Sequence, residues 1–178
     1  MFNRRALVGL AVTGLAAPQI ARAAEERLVF TLKDGDVTIQ FREDVAPLHV
    51  AQIKTLVRQG FYDGTPFHRV IEGFMAQGGD PTGTGTGGSP LANVKAEFTN
   101  RYQFLRGTCG MARSQQPDSA NSQFFIMFAP GSSLNNQYTI WGQVVGGMDA
   151  VDKIKRGGGQ SGMVNGPDKL LRARIVNT

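Results

Sequence analysis

In the stretch "RLVFTLKDGDVTIQF", apolar side chains recur at every second position: Leu28, Phe30 and Leu32, then Val37, Ile39 and Phe41. A period of two places each set on one face of an extended strand. Asp34-Gly35 lies between the two runs and tolerates the positive φ of a tight turn, so the stretch predicts a β-hairpin. The period then changes. In "APLHVAQIKTLVRQG", Val50, Ile53 and Val57 share one face of a helix, Pro47 suits its first turn and Gly60 its end. His49 falls on this helix and reads as a surface residue. From Phe61 onward, short apolar runs ("PFHRVI", "FMAQ", "CGMA", "QFFIMF", "IWGQVV") alternate with Gly, Pro and Asn clusters. "MDAVDKIKR" predicts a second short helix from Met148 to Gly157, and "KLLRARIV" a closing strand. Many short strands, two helices and Gly-rich connections predict a mainly β protein, an antiparallel barrel or sandwich with helices over its openings.

The first residues follow a different plan. "MFNRRALVGLAVTGLAAPQIARAAEE" has a charged start, an apolar stretch from Ala6 to Ala17 and small residues around "ARA". This is the layout of a secretory signal, and the apolar run is too short to span a bilayer comfortably. Arg4-Arg5 ahead of a Gly-containing core resembles a twin-arginine signal. We therefore assign 1–24 to a signal peptide, cleaved after Ala23 or Ala24, and 25–178 to a single domain without linker or repeat. The expected location is periplasmic or secreted, with no membrane attachment after cleavage.

Charge changes meaning once this segment is set aside. Removing Arg4, Arg5 and Arg22 takes the formal net charge from +5 to +2. The remaining basic residues form no long run, which argues against a nucleic-acid partner. Apolar residues make up 41% of the chain, enough for one domain with a real core rather than a disordered segment. A single cysteine, Cys109 in "GTCGMA", has no internal disulfide partner and reads as a small buried hydrophobe. Nothing suggests an exposed apolar patch, so a monomer is expected.

The chemistry-bearing side chains gather in "FHRVIEGFMAQGGD" and "SQFFIMF". No Ser/His/Asp set, paired carboxylates or metal-ligand spacing is present, so no metal or cofactor is expected. Alternation puts Phe67 and Arg69 on one face and His68 and Val70 on the other. Likewise Met75 pairs with Gln77, and Gln123 with Phe125, opposite Phe124 and Ile126. His68 reads as a core or rim histidine with one satisfied nitrogen. Two strands carrying Gln beside an apolar side chain, with Arg69, would build a shallow groove with an apolar floor, amide donors and one guanidinium. "GGDPTGTGTGGSP" lacks the Lys-Ser/Thr ending of a phosphate loop and reads as a surface loop.

Taken together, "FHRVIEGFMAQGGDPTGTGTGG", "GTCGMARSQQPDSANSQFFIMF" and "IWGQVVGGMDAVDKI" resemble the cyclophilin-type peptidyl-prolyl cis-trans isomerases in order and spacing, over nearly all of 27–178. The resemblance implies a closed eight-stranded antiparallel β-barrel capped by two α-helices, with the active groove on its outside. It implies that Arg69 is the catalytic Arg, with Gln77 beside it. It implies a substrate-binding groove of Phe74, Met75, Ala112, Arg113, Gln123, Phe125, Leu134 and Tyr138. Arg113 stands where the family has Asn, and Tyr138 where eukaryotic members have His. Ser133 replaces the groove-wall Trp of eukaryotic members, so weak binding of cyclosporin is expected. Trp141 falls on a core aromatic position. The implied substrates are proline-containing segments of unfolded or folding proteins. Two rivals are a noncatalytic module that only holds such segments, and a hydrolase. The hydrolase is disfavoured because neither His has a recognisable nucleophile partner.

The leader predicts two outcomes. N-terminal sequencing of the exported protein should begin near Ala24 or Glu25, and recovery of only full-length cytoplasmic protein would contradict the assignment. Replacing Arg4 and Arg5 by Lys should stop export by a twin-arginine route, whereas a general secretory signal keeps its charge and is unaffected.

Overall fold

The computed structural model describes residues 25–178, so the signal segment 1–24 lies outside the described residues. Strands β1 (Glu26–Leu32) and β2 (Gly35–Phe41) form the predicted hairpin, with Leu28, Phe30, Leu32, Val37, Ile39 and Phe41 all buried. The turn differs by one residue from the expectation. Leu32 pairs with Gly35, so Lys33-Asp34 form the loop, and the positive φ falls on Gly35 (138°) alone.

Helix α1 (Pro47–Arg58) starts with Pro47 in its first turn, where the missing N–H costs nothing. It buries Val50, Ile53, Leu56 and Val57. Each such side chain contributes about 1.5–3 kcal/mol, against about 1 kcal/mol for a helix cap. Packing, not capping, therefore holds this short helix. Its N-terminus is nonetheless satisfied from far along the chain: the Glu97 carboxylate accepts the backbone N–H groups of Leu48 and His49, each at 3.0 Å. His49 is not a surface residue. It is fully buried, with Nδ1 2.6 Å from the same carboxylate. The periodicity of α1 could not reveal this, because the partner lies in a loop 48 residues away.

Six further strands follow: β3 (Arg69–Ile71), β4 (Met75–Gly78), β5 (Thr108–Met111), β6 (Phe124–Met127), β7 (Ile140–Gly146) and β8 (Arg172–Asn177). All pair antiparallel, in the order β3-β4-β6-β5-β7-β2-β1-β8. The eight antiparallel strands and two helices are those expected. The seam between the edge strands is closed by the chain leading into β8. There Phe67 donates to the Asp168 carbonyl (2.9 Å) and Leu170 to the Thr65 carbonyl (2.9 Å). Helix α2 (Met148–Asp152) is shorter than expected. After Ile154 the chain is drawn against β3, where Gly157 donates to the Val70 carbonyl at 2.8 Å.

Side chains fill the barrel. Phe124 is its hub, with ring centroids of Phe30, Tyr62, Trp141 and Phe67 at 5.2, 5.7, 6.1 and 6.2 Å. Cys109 and Trp141 are fully buried, as their sequence context indicates. Burial pushes the Cys109 thiol well above its ordinary range, which removes it as a nucleophile at neutral pH.

Candidate active site

Strand β6 is buried on both faces. Phe124 and Ile126 point into the barrel, while Phe125 and Met127 enter a second, outer cluster with Met75, Phe104 and Ile140. This is the alternation read from "SQFFIMF". The outer cluster needs close approach at β5. Phe104 and Phe125 stack at 5.6 Å across Gly110, where any Cβ would overlap both rings. Phe74, Leu134, Tyr138 and Ala112 pack around this cluster and leave a cavity of about 380 Å3. Phe74 reaches it because the tight turn at Gly73 (φ 69°) precedes β4, outside the range of simple alternation. Tyr138 meets Phe125 edge-on at 5.8 Å.

One rim of the cavity is polar. Register places Arg69 of β3 directly opposite Gln77 of β4. The Arg69 guanidinium donates from Nη1 to Gln77 Oε1 (3.2 Å) and from Nε to the Ser161 carbonyl (3.0 Å). Gln77 Nε2 donates to Gln123 Oε1 at 2.9 Å. Gln123 Nε2 in turn donates to the carbonyls of Gly85 (3.0 Å) and Gly87 (2.8 Å). These bonds fix both amide orientations, and the donors run in one direction, from Arg69 through the two amides to the loop carbonyls. Arg69 keeps Nη2 without a partner among the described residues.

Alternation fails at one point. Phe67 does not share a face with Arg69; it lies in the barrel core beside Val70. Strand β3 begins only at Arg69, so Phe67 belongs to the loop before it, where period two does not apply. His68 is buried and lines the cavity next to Gly85, as a rim position, but neither ring nitrogen reaches good hydrogen-bond geometry with a partner among the described residues. Burial pushes its pKa down, opposed by the nearby Asp80 carboxylate and reinforced by Arg69, which favours the neutral imidazole.

The Gly-rich run is an ordered loop built on Asp80. Its buried carboxylate accepts the N–H groups of Thr82 (2.8 Å), Gly85 (2.7 Å) and Gly87 (3.1 Å) and the Thr82 hydroxyl (2.7 Å). Sequence reading passed over Asp80, although an Asp followed by closely spaced Gly and Thr is the mark of a side-chain-organised turn. It also passed over Ser161, whose carbonyl holds Arg69, and Met163, which lines the cavity. Both come from a segment without periodic pattern.

Ala112 and Arg113 border the cavity, and the Ala112 N–H is tied to the Gln123 carbonyl at 2.9 Å. Ser133 is exposed on the short turn Ser132–Leu134 and does not line the cavity, whereas Leu134 does. The structure thus gathers Arg69, Phe74, Met75, Gln77, Ala112, Arg113, Phe125, Leu134 and Tyr138 around one opening, with Gln123 behind Gln77.

A cyclophilin type peptidyl-prolyl cis-trans isomerase family model matches residues 27–176. The chain belongs to this family. A probable peptidyl-prolyl cis-trans isomerase of Brucella abortus is 53% identical, over 98% of this chain and 96% of its own length. Peptidyl-prolyl cis-trans isomerase A of Dickeya dadantii is 37% identical, over 79% of this chain and 76% of its own. Among solved structures, a Cryptosporidium parvum cyclophilin type isomerase, crystallised in the presence of the dipeptide Ala-Pro, superposes with a TM-score of 0.78. It is 27% identical, over 85% of this chain and 99% of its own. A cyclophilin from Hirschia baltica gives 0.76 at 28% identity, over 86% and 75% of the two chains. The protein is an isomerase of this class.

Asp80 gives this cyclophilin an acid-sensitive loop. Burial pushes the carboxyl up, but its hydrogen bonds outweigh this and hold it at about 2, below the ordinary 3.8. A depressed pKa contributes stability that is fully present above the unfolded value and lost as pH falls toward the folded one. Urea midpoints of the native protein should therefore fall between pH 3.8 and about 2. Asp80→Asn should be less stable at pH 7 and show a flatter decline over that interval. An unchanged pH profile in the variant would remove this role from Asp80.

Proposed function

We propose that the isomerase accelerates rotation of X–Pro bonds by seating the proline on the outer apolar cluster and stabilising the twisted amide with Arg69. The planar amide resists rotation by about 18–20 kcal/mol, and uncatalysed X–Pro exchange takes about tens to hundreds of seconds. When the bond twists, resonance is lost and the prolyl nitrogen gains a lone pair. A cation that donates to this nitrogen favours the twisted state over both planar states, which is differential binding. No bond breaks, so no nucleophile is needed.

One observation carries the reading. Arg69 borders an apolar cavity, is held by the Ser161 carbonyl and Gln77, and retains an Nη2 without a partner among the described residues. The donor is thus preorganised and always charged. Phe74, Met75, Phe125 and Leu134 form the proline seat. Gln77 orients Arg69, Gln123 steadies Gln77, and Tyr138 and the backbone at Ala112 and Arg113 border the substrate. The dipeptide Ala-Pro used with the Cryptosporidium parvum protein is of the substrate class inferred for this chain. A module that only holds proline segments would not need Arg69 to be positioned so closely. We also place the mature protein outside the cytoplasm, as a monomer acting on proline-containing segments of folding proteins.

Lowering the barrier by about 7 kcal/mol gives roughly five powers of ten. Arg69→Ala should therefore lose about a hundredfold or more in kcat/KM on an X–Pro peptide. Arg69 is partly exposed, so the circular dichroism of the variant should be native. Near-normal turnover by the folded variant would refute the mechanism.

Cyclosporin tests the other end of the groove. The exposed Ser133 offers little apolar wall. An aromatic contact at a binding hot spot contributes about 2 kcal/mol or more, which is roughly thirtyfold in affinity. Native protein should be an active isomerase that binds cyclosporin weakly, and Ser133→Trp should tighten inhibition more than it changes turnover. Tight inhibition of the native protein, or no gain from the Trp, would contradict this.

A further inference from the structure

Beyond α2 the chain returns along the edge of β3. Val70 donates to the Gly162 carbonyl at 2.7 Å, and Val164 to the His68 carbonyl at 3.0 Å. These two bonds flank Arg69 and Met163, which face each other as an antiparallel pair without a hydrogen bond of their own. In such a pair the Cα atoms stand about 4.5 Å apart and the side chains are at their closest. Arg69 and Met163 accordingly line the same cavity. On its other side the Met163 backbone is pinned by Gly158, whose N–H donates to the Met163 carbonyl at 3.3 Å. Gly158 has open space where a side chain would stand, so this flank stays accessible.

Met163 is also the methionine that an oxidant can reach. It is 42% exposed, whereas Met75, Met111 and Met127 are each 2% exposed or less. Met148 packs against the barrel core, and the Cys109 thiol is fully buried. A thioether is apolar and only a weak acceptor. Hydrogen peroxide converts it to the sulfoxide: the O–O bond breaks, an S=O bond forms, the sulfur gives up two electrons and water leaves. The product carries a polar oxygen on a flexible side chain. Beside it, Arg69 Nη2 is a donor without a partner among the described residues.

We propose that Met163 is an oxidation-sensitive switch: as the sulfoxide it accepts a hydrogen bond from Arg69 Nη2 and withdraws the donor that the twisted amide needs. This rests on the role of Arg69 in the proposed function and adds regulation by peroxide to it. Phe74, Met75, Phe125 and Leu134 are untouched by the change, so the proline seat persists. The loss therefore falls on the turnover step rather than on peptide binding.

The test treats the intact protein with hydrogen peroxide under native conditions and locates the added oxygen by peptide mapping. Within residues 25–178 it should fall first on Met163. Turnover of an X–Pro peptide, followed by exchange NMR, should drop by about tenfold in step with Met163 sulfoxide, the scale of one charge-assisted donor. The peptide Kd from shift titration should change little. Methionine sulfoxide reductases for both epimers should restore turnover. Met163→Leu cannot form the sulfoxide and keeps a similar volume. Whatever its untreated rate, peroxide should leave that rate unchanged. The guanidinium resonances of Arg69 should shift on oxidation of the native protein, and peroxide should not shift them in Met163→Leu. Oxidation of another residue of the domain ahead of Met163, an unchanged rate with Met163 fully oxidised, or an equal loss in Met163→Leu would each overturn the inference. If the untreated protein turns over no X–Pro peptide, the proposed function fails instead, and the Arg69 resonances still decide whether the sulfoxide takes its donor.

Discussion

Strand β6 has to satisfy two cores at once. Phe124 and Ile126 fill the barrel while Phe125 and Met127 build the outer cluster. A sheet with one solvated face would carry polar residues at the second set. Here the apolar outer face creates the seat, and the neighbouring strands are adapted to it. Gly110 on β5 has no side chain because two rings lie across it, and Met75 on β4 completes the floor. Apolar side chains fill the barrel interior, and the cavity beside the outer cluster lies on the other face of β6.

The polar edge of the seat is built from the same register. Arg69 stands opposite Gln77, and Gln77 opposite Phe125, so one cross-strand row carries cation, amide and aromatic in order. Hydrogen bonds then run from Arg69 through both amides into the carbonyls of the Gly-rich loop. The loop is itself wound on Asp80, which links a buried charge to the placement of an exposed one. The proposed mechanism asks for no more than a donor at the right place and a partly dry surface, and neither demands a reactive side chain.

Much of this was legible in the chain. The hairpin, α1 and the two faces of β4 and β6 followed from periodicity, because each is a local pattern enforced by burial. The misplacements share a cause. Alternation was applied to Phe67 two residues before the strand that would justify it. His49 was read as surface because its partner Glu97 comes from a distant loop. Helix α2 stops early because Gly157 is tied to β3. In each case a long-range hydrogen bond or an element boundary overrode a local rule.

The sequence by itself determined the strand faces, the first helix and which residue types were available for chemistry. It also carried the family resemblance, since "FHRVIEGFMAQGGD" and "SQFFIMF" keep their order and spacing. Only the tertiary structure decided that these segments converge, that Ser161 and Met163 join them, and that Arg113 borders two adjoining cavities. The reason is physical. Side-chain direction along a strand depends on neighbours two residues away, whereas the meeting of β3, β4, β6 and their loops depends on register and sheet curvature across nearly a hundred residues of chain. No local period encodes that distance.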